Sequence, residues 1–542
     1  MRAILLQGKF CRARQTMKKA AVILLLFLTA ATHFARVNGD DGGRWYRLRQ
    51  KADSTVCFLQ SRLLLVNPAS PVGSELFHDY FKSVRMALRL PYDIYDFREE
   101  RRWNKYLADM MVHFFVCCDD LPGRTCVAYD NLLARKNFFA RQSGKGEGLA
   151  ESWSEIAQRL AAQEAAIEVN DLKDELLIVK HGYDAPHGIE IDSLLSEAIT
   201  QGLADEPLAI DRLYAADGPL SRLWTLMAPE LRNVRTIYVS GNFKYAQLNF
   251  GAIPIGGGLT LSDRYDVHQI LSTASVGAGH SSGAAFRTAT LFGGIDYESR
   301  GQASAAKPDN EPWNLVRGLP DSIRGGFRPL PWSMEETALV DSLLRSAHVQ
   351  TQLFRGAQAT EEAVRQMSGH APDIIHLSTH GFMLAPLFTD STVTEAAQDT
   401  LRYLTILSQS GLLFAGANKA WRGQMHQDGY DGILTSSELM KTDLSGCRLA
   451  VLPVCRGALG EDRNLTGMPF GVAYALKDAG VKQILCSLWS ISDRATSVFM
   501  RYFYRHLVGS GTPAAALRQA VRDMRAAGYD SPYYSASFIL VE

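Results

Sequence analysis

Two short stretches hold the residue types that thiol chemistry needs. "DIIHLSTHGF" ends in His380-Gly381, and "LAVLPVCRG" presents Cys455. A thiolate attacks carbonyl carbon, so such a site needs a base or cation that makes thiolate available. It also needs N–H donors for the oxyanion, which a bare glycine backbone (Gly381) or a tight turn (Cys455-Arg456-Gly457) can bring close. The imidazole can then protonate a leaving amine. Each side chain also has a plainer reading. Free cysteine is among the most buried residue types, so Cys455 alone also reads as a core thiol. His376, inside its apolar run, reads as a satisfied core histidine, Cys486 as core and Cys447 as a strand-start residue.

These residues need elements that bring them together. From residue 170 onward, short apolar or β-branched runs end in Gly, Asn or Asp: "DELLIVKHGYD", "VRTIYVSGNF", "TATLFGGIDY", "HVQTQLFRG", "PDIIHLSTHGF", "CRLAVLPVCRG" and "VKQILCSLWS". Helical patterns such as "SMEETALVDSLLRSA", "TEEAVRQMSG" and "MPFGVAYALKDAG" separate several of them. This alternation predicts an α/β fold, a largely parallel sheet sandwiched by helices. Active groups in such sheets gather at the carboxyl ends of strands, where both His380 and Cys455 fall. Residues 43–169 read as a smaller helical region, from "NKYLADMMVHFFV" to "ESWSEIAQRLAAQEAAIEV". Residues 385–433 read as a long irregular stretch, functional or disordered, followed by a capping box at Thr435 and Glu438. Asp428 and Asp431 read as turn-formers.

Composition narrows the function class. The chain has 57 Lys+Arg against 57 Asp+Glu, with 46% apolar and 21% charged residues. That balance gives no basic surplus for a nucleic acid, and usage is that of a folded globular protein. From Met17, a plausible alternative start, "MKKAAVILLLFLTAATHFARVNGDDGG" has the layout of a secretory signal, so residues 17–39 are expected to direct export to a periplasmic or extracellular space. A retained membrane anchor or a cytoplasmic product are the alternatives. Of eight cysteines, Cys57, Cys117, Cys118 and Cys126 lie in the N-terminal third, where an oxidising compartment would let some pair. His113 and Cys117 are two ligands without partners, so no metal or other cofactor is expected.

The text around these residues resembles the CHAT-domain family, caspase-like modules more distantly similar to separases and caspases. The resemblance rests on "IIHLSTHGF", "GLLFAGANKAW", "DGILTSSEL", "LAVLPVCRGALG", the long segment from "LKDAGVKQILCSLWSISDRAT" to "AVRDMR", and the closing "SASFILVE", all in family order over residues 370–542. Weaker similarity reaches upstream through "SDRYDVHQILST" and "LFGGIDY". It implies a caspase-type fold, with residues 170–300 as a pseudo-caspase-like part and 301–542 as the catalytic part. It implies a His380–Cys455 dyad with Gly381 and the Cys455 amide as oxyanion donors. Val454-Cys455-Arg456-Gly457 nearly reproduces the Ala-Cys-Arg-Gly caspase signature.

The resemblance also nominates Asp493, in "SLWSISDRAT", as an acidic S1 residue able to pair with a guanidinium. An N-cap role for the helix that follows is the other reading of Asp493. The implied activity is a cysteine endopeptidase acting on a protein or peptide after Arg or Lys, with Lys419 and Arg422 as self-cleavage positions. The chain departs from the family pattern at Pro453-Val454 and Gly457-Ala458, where relatives carry Ser-Ala and Thr-Gly. Those changes keep open a non-catalytic scaffold that meets a protein partner through its helical N-terminal region. A cysteine-dependent acyltransferase or amidase would share the dyad.

Overall fold

The computed structural model describes residues 79–82, 123–137, 148–203, 206–277, 285–299, 326–383, 410–422, 430–453, 471–489, 491–510 and 512–542. By internal contacts the chain divides into two units, residues 1–91 with 113–122 and residues 92–112 with 123–542. In the first, residues 79–82 are helical. Cys455 and residues 17–39 lie outside the described residues, as do Cys57, His113, Cys117, Cys118 and Asp428.

Sixteen strands are described. They are β1 (Glu164–Asn170), β2 (Glu175–Lys180), β3 (His187–Glu190), β4 (Thr236–Ser240), β5 (Pro254–Gly256), β6 (Leu259–Thr260), β7 (Asp266–Gln269) and β8 (Thr288–Ile295). Then come β9 (Gln350–Gly356), β10 (Ile374–Leu377), β11 (Gly381–Met383), β12 (Ser410–Leu413), β13 (Ile433–Thr435), β14 (Leu449–Leu452), β15 (Gln483–Ser487) and β16 (Phe538–Val541). Eleven of these form one sheet in the order β3-β2-β1-β4-β7-β16-β15-β14-β10-β8-β9. From β9 to β15 every pairing is parallel. C-terminal β16 is antiparallel to β15, and β7, β4 and β1 run parallel to β16. The sheet therefore joins two parallel blocks of opposite direction, and β2 and β3 finish one side antiparallel.

Strands of a parallel sheet covered on both faces are mostly apolar, as the central ones here are. Every residue of β10, β14 and β16 is buried. The helices that matter below are α1 (Arg124–Lys136), α2 (Pro331–Ser346), α3 (Ala417–Trp421), α4 (Val472–Asp478), α5 (Asp493–Ser510) and α6 (Pro513–Ala526). α2 packs against β8, β9 and α5, and α6 packs against α5 and β16. The close approach of α2 to β8 depends on "GG" in "TLFGGID". A Cβ on Gly293 would lie 2.4 Å from Thr337 Cγ2 and 2.9 Å from the Ser333 carbonyl oxygen, and Gly294 has φ +58°. Ser333 Oγ then accepts the Gly294 N–H (3.0 Å) and donates to the Ser378 carbonyl (2.9 Å), tying β8 to the end of β10.

The sequence runs expected to be strands are β2, β4, β8, β9, β10, β14 and β15, and the capping box at Thr435 and Glu438 forms with both reciprocal bonds. β1 forms where the helical region gives way to extended sequence, and "EAAIEVN" is buried along its inner length and pairs on both sides. One expectation needs correction. Residues 410–422, inside the stretch read as irregular, form β12 and α3. The reason is that "SGLL" is fully buried between β11 and β13 in a three-stranded antiparallel sheet.

Candidate functional site

β10 and β14 are adjacent and parallel, with His376 opposite Val451. His380 lies four residues beyond His376, and Cys455 four beyond Val451. Pro453 closes β14 without a backbone N–H to donate.

His380 is partly buried and held from several sides. Its Nε2 lies 2.8 Å from the Arg328 carbonyl oxygen. A carbonyl only accepts, so Nε2 carries the proton and Nδ1 keeps its lone pair, which is the tautomer of a base. The ring packs against Tyr297 (centroids 5.2 Å) and Phe327 (5.4 Å). Its backbone N–H donates to Tyr297 Oη at 3.2 Å, and that hydroxyl lies 3.1 Å from Thr379 Oγ1. Thr379 in turn donates to the Leu413 carbonyl. Burial pushes the Tyr297 phenol up to about 12, so it stays protonated at neutral pH. Burial lowers the His380 pKa below the ordinary histidine value, against upward pulls from the Arg328 carbonyl and from Asp493. The imidazole is thus neutral at pH 7.

Gly381 opens β11 opposite Leu412. The His380 carbonyl accepts the Leu413 N–H (3.0 Å), which makes Gly381 and Leu412 a non-hydrogen-bonded pair and turns the Gly381 N–H away from β12.

Asp493 is the first residue of α5. The cap is its predecessor: Ser492 Oγ accepts the Ala495 N–H at 3.3 Å, and the Ser492 carbonyl accepts the Thr496 N–H at 3.0 Å. That frees the Asp493 carboxylate from capping. It is hydrogen-bonded by the Trp332 backbone and lies within electrostatic reach of His380 and Glu336. Burial, then the Glu336 charge, raises its pKa above the ordinary aspartate value. Trp332 and Met334, at the start of α2, are exposed.

The other singled-out residues have structural surroundings. His376 is fully buried, with Nε2 at 3.0 Å from Glu336 Oε1 and Nδ1 at 3.0 Å from Tyr504 Oη. Cys447 and Cys486 are buried thiols that burial pushes up to about 12, and Cys126 is also unpaired. Asp431 Oδ1 accepts the Ile433 N–H (2.8 Å), which is the turn role read for it. Lys419 sits within α3, and Arg422 just beyond it makes two 2.8 Å bonds to Glu298.

The geometry brings His380, Gly381 and Asp493 into one neighbourhood around the carboxyl end of β10. Sequence reasoning missed the Arg328 carbonyl, Phe327, Tyr297 and Ser492. Only Tyr297 carried a signal, as the aromatic residue ending "LFGGIDY". Among the described residues, no helix is long and apolar enough to cross a membrane.

The family model described as CHAT domain matches residues 218–542. That segment starts after β3, so the sheet extends beyond it. No curated protein sequence matches. Among solved structures, the chain is similar to the Arg-specific cysteine proteinase gingipain R at 10% identity and TM-score 0.31, over 62% of this chain and 67% of that one. It is similar to the separase of a Saccharomyces cerevisiae separase–securin complex at 8% identity and TM-score 0.39, over 92% of this chain and 40% of that one.

Proposed function

The chain belongs to the CHAT-domain family, and we propose that it is a caspase-like cysteine endopeptidase that cleaves protein or peptide substrates after Arg or Lys. The observation that carries the reading is the register of β10 against β14. His376 and Val451 are paired on adjacent parallel strands, and His380 and Cys455 each follow four residues later in the sequence, beyond the strands' carboxyl ends. His380 Nδ1 takes the proton of the Cys455 thiol, and the thiolate forms a C–S bond to the scissile carbonyl carbon. The Gly381 and Cys455 N–H groups receive the oxyanion. His380 hands its proton to the amine nitrogen as the C–N bond breaks, and water then cleaves the thioester, returning the thiol and a carboxylic acid. Asp493, not needed for capping, receives the guanidinium or ammonium of the residue before the cut.

Self-cleavage after Lys419 or Arg422 would have to open the end of α3 and the Arg422–Glu298 pair first. Export through residues 17–39 belongs to the same reading, checked by the N-terminal mass of protein recovered outside the cytoplasm. The central test compares wild type with Cys455→Ala for intact mass and for cleavage of Arg- and Lys-containing reporters. Wild type alone is expected to cleave, and Cys455 is expected to alkylate faster than a free thiol near neutral pH. Equal inertness of both proteins, with Cys455 labelling only after denaturation, would replace this reading with the scaffold one.

A further inference from the structure

The group that orients His380 is a main-chain carbonyl on residues 326–330, a segment without helix or strand pairing. Something else must hold it. Asn418, on α3 and 1% exposed, uses its whole carboxamide for that purpose. Its Oδ1 accepts the Phe327 N–H at 2.6 Å, and its Nδ2 donates to the Phe327 carbonyl at 2.9 Å. A two-point grip on one residue fixes both position and rotation of the strand-like segment, as a neighbouring strand would. Gly326 makes the approach feasible: it has φ +81°, and a Cβ there would lie 2.9 Å from both Asn418 Oδ1 and Arg422 Nη2. Asn418 Nδ2 also donates to Glu298 Oε1 at 2.9 Å, and Glu298 is gripped by Arg422.

A second route reaches the same histidine. The Asn418 N–H donates to the Tyr297 carbonyl at 2.9 Å, and Tyr297 packs on the His380 ring and accepts its backbone N–H. Phe327 is wedged between the His380 ring and Trp421, the last residue of α3 (centroids 5.4 and 4.9 Å).

We propose that Asn418 is a positioning residue for His380, acting through the Phe327–Arg328 backbone to hold the imidazole in the Nε2-protonated tautomer. The effect on turnover rests on His380 being the acid–base group; the effect on the tautomer does not. α3 thereby links the state of residues 417–422 to the histidine.

The test is nitrogen NMR of full-length protein carrying isotope-labelled histidine, with His380 assigned through His380→Ala. Wild type is expected to show one protonated and one unprotonated ring nitrogen above the His380 pKa. In folded Asn418→Ala the two signals should converge, as both tautomers populate. Asn418→Asp, which keeps the acceptor for Phe327 N–H but sets a carboxylate oxygen against the Phe327 carbonyl and Glu298, should make the signals converge at least as far, and it decides the matter if the alanine variant does not fold. A folded Asn418→Ala or Asn418→Asp protein that keeps the wild-type tautomer overturns the proposal. In turnover, Asn418→Ala should lower kcat by about 10- to 100-fold, the usual scale for a misplaced catalytic group, with KM little changed. An unchanged kcat in a folded alanine variant also counts against it. Failure of the dyad itself would appear separately, as Cys455 alkylation that His380→Ala does not slow.

Discussion

Asp493 and His380 constrain each other electrostatically, and the sign of that coupling can be measured. Burial holds His380 below the ordinary histidine value, while the Asp493 charge pulls it back up. Asp493→Asn removes the upward pull, so the His380 pKa should fall further. A reaction that needs neutral imidazole loses rate as pH drops through that pKa. The acid limb of kcat/KM should therefore lie below pH 6.5 in wild type and move to lower pH in Asp493→Asn. The same variant should cost about 10- to 100-fold in kcat/KM on Arg reporters, the worth of a charge-assisted hydrogen bond at 1.5–3 kcal/mol, and much less on reporters with a neutral residue there. Both are read from pH–rate profiles on paired reporters. An acid limb that moves upward, or equal losses on both reporters, would remove Asp493 from its assigned role.

At the scale of elements, His376 bolts the strand that carries His380 to two helices. β10 meets α2 through Glu336 and α5 through Tyr504, and all three side chains are buried. His376→Ala strips the Glu336 carboxylate of its partner inside the protein, and a buried charge left unpaired typically costs about 3–5 kcal/mol. Urea unfolding should show a loss of that size, whereas a loss under 1 kcal/mol would mean that the carboxylate finds another partner or water. The core role of His376 was readable from its place amid "IIHL"; its partners, forty and more residues away, were not. The same division holds across the fold. β10, β14 and β15 announce themselves because a strand covered on both faces is mostly apolar. β7, "DVHQ", carries one aliphatic residue and is a strand because β4 and β16 flank it. β12, "SGLL", is four residues long and opens with Ser-Gly, a pair that reads as a turn. At the site, His380 and Cys455 are legible as residue types, but Arg328 acts through a carbonyl that every residue has. Ser492 displaced Asp493 as cap, a contest between adjacent capping residues that no spacing rule decides.

The two parallel blocks give the sheet two opposite edges where strand ends converge. One edge carries His380. At the other, the ends of β1 and β4 and the turn after β7 bring together Glu168, Ser240 and Thr273. There Lys136 from α1 fills the space: its Nζ lies 2.5 Å from Glu168 Oε2 and bonds Ser240 Oγ. Glu168 Oε1 accepts the Thr273 N–H (2.8 Å) and hydroxyl (2.7 Å), and Tyr129 completes the network through Thr273. Both Lys136 and Glu168 are buried, and burial lowers the Lys136 pKa despite the adjacent carboxylate. This edge is closed by a salt bridge and joins α1 to the sheet. Lys136→Met leaves the Glu168 carboxylate without its counter-ion, held only by Thr273, and should destabilise the protein by about 3–5 kcal/mol. Adding Glu168→Gln removes that stranded charge while keeping an acceptor for Thr273, so the double variant should be more stable than Lys136→Met alone, an interaction that a double-mutant cycle in urea measures directly. Because the pair sits at the edge opposite His380, folded Lys136→Met protein should keep the wild-type His380 tautomer and reporter rate. A double variant no more stable than Lys136→Met would mean that lost packing, not the unpaired carboxylate, sets the cost at this edge.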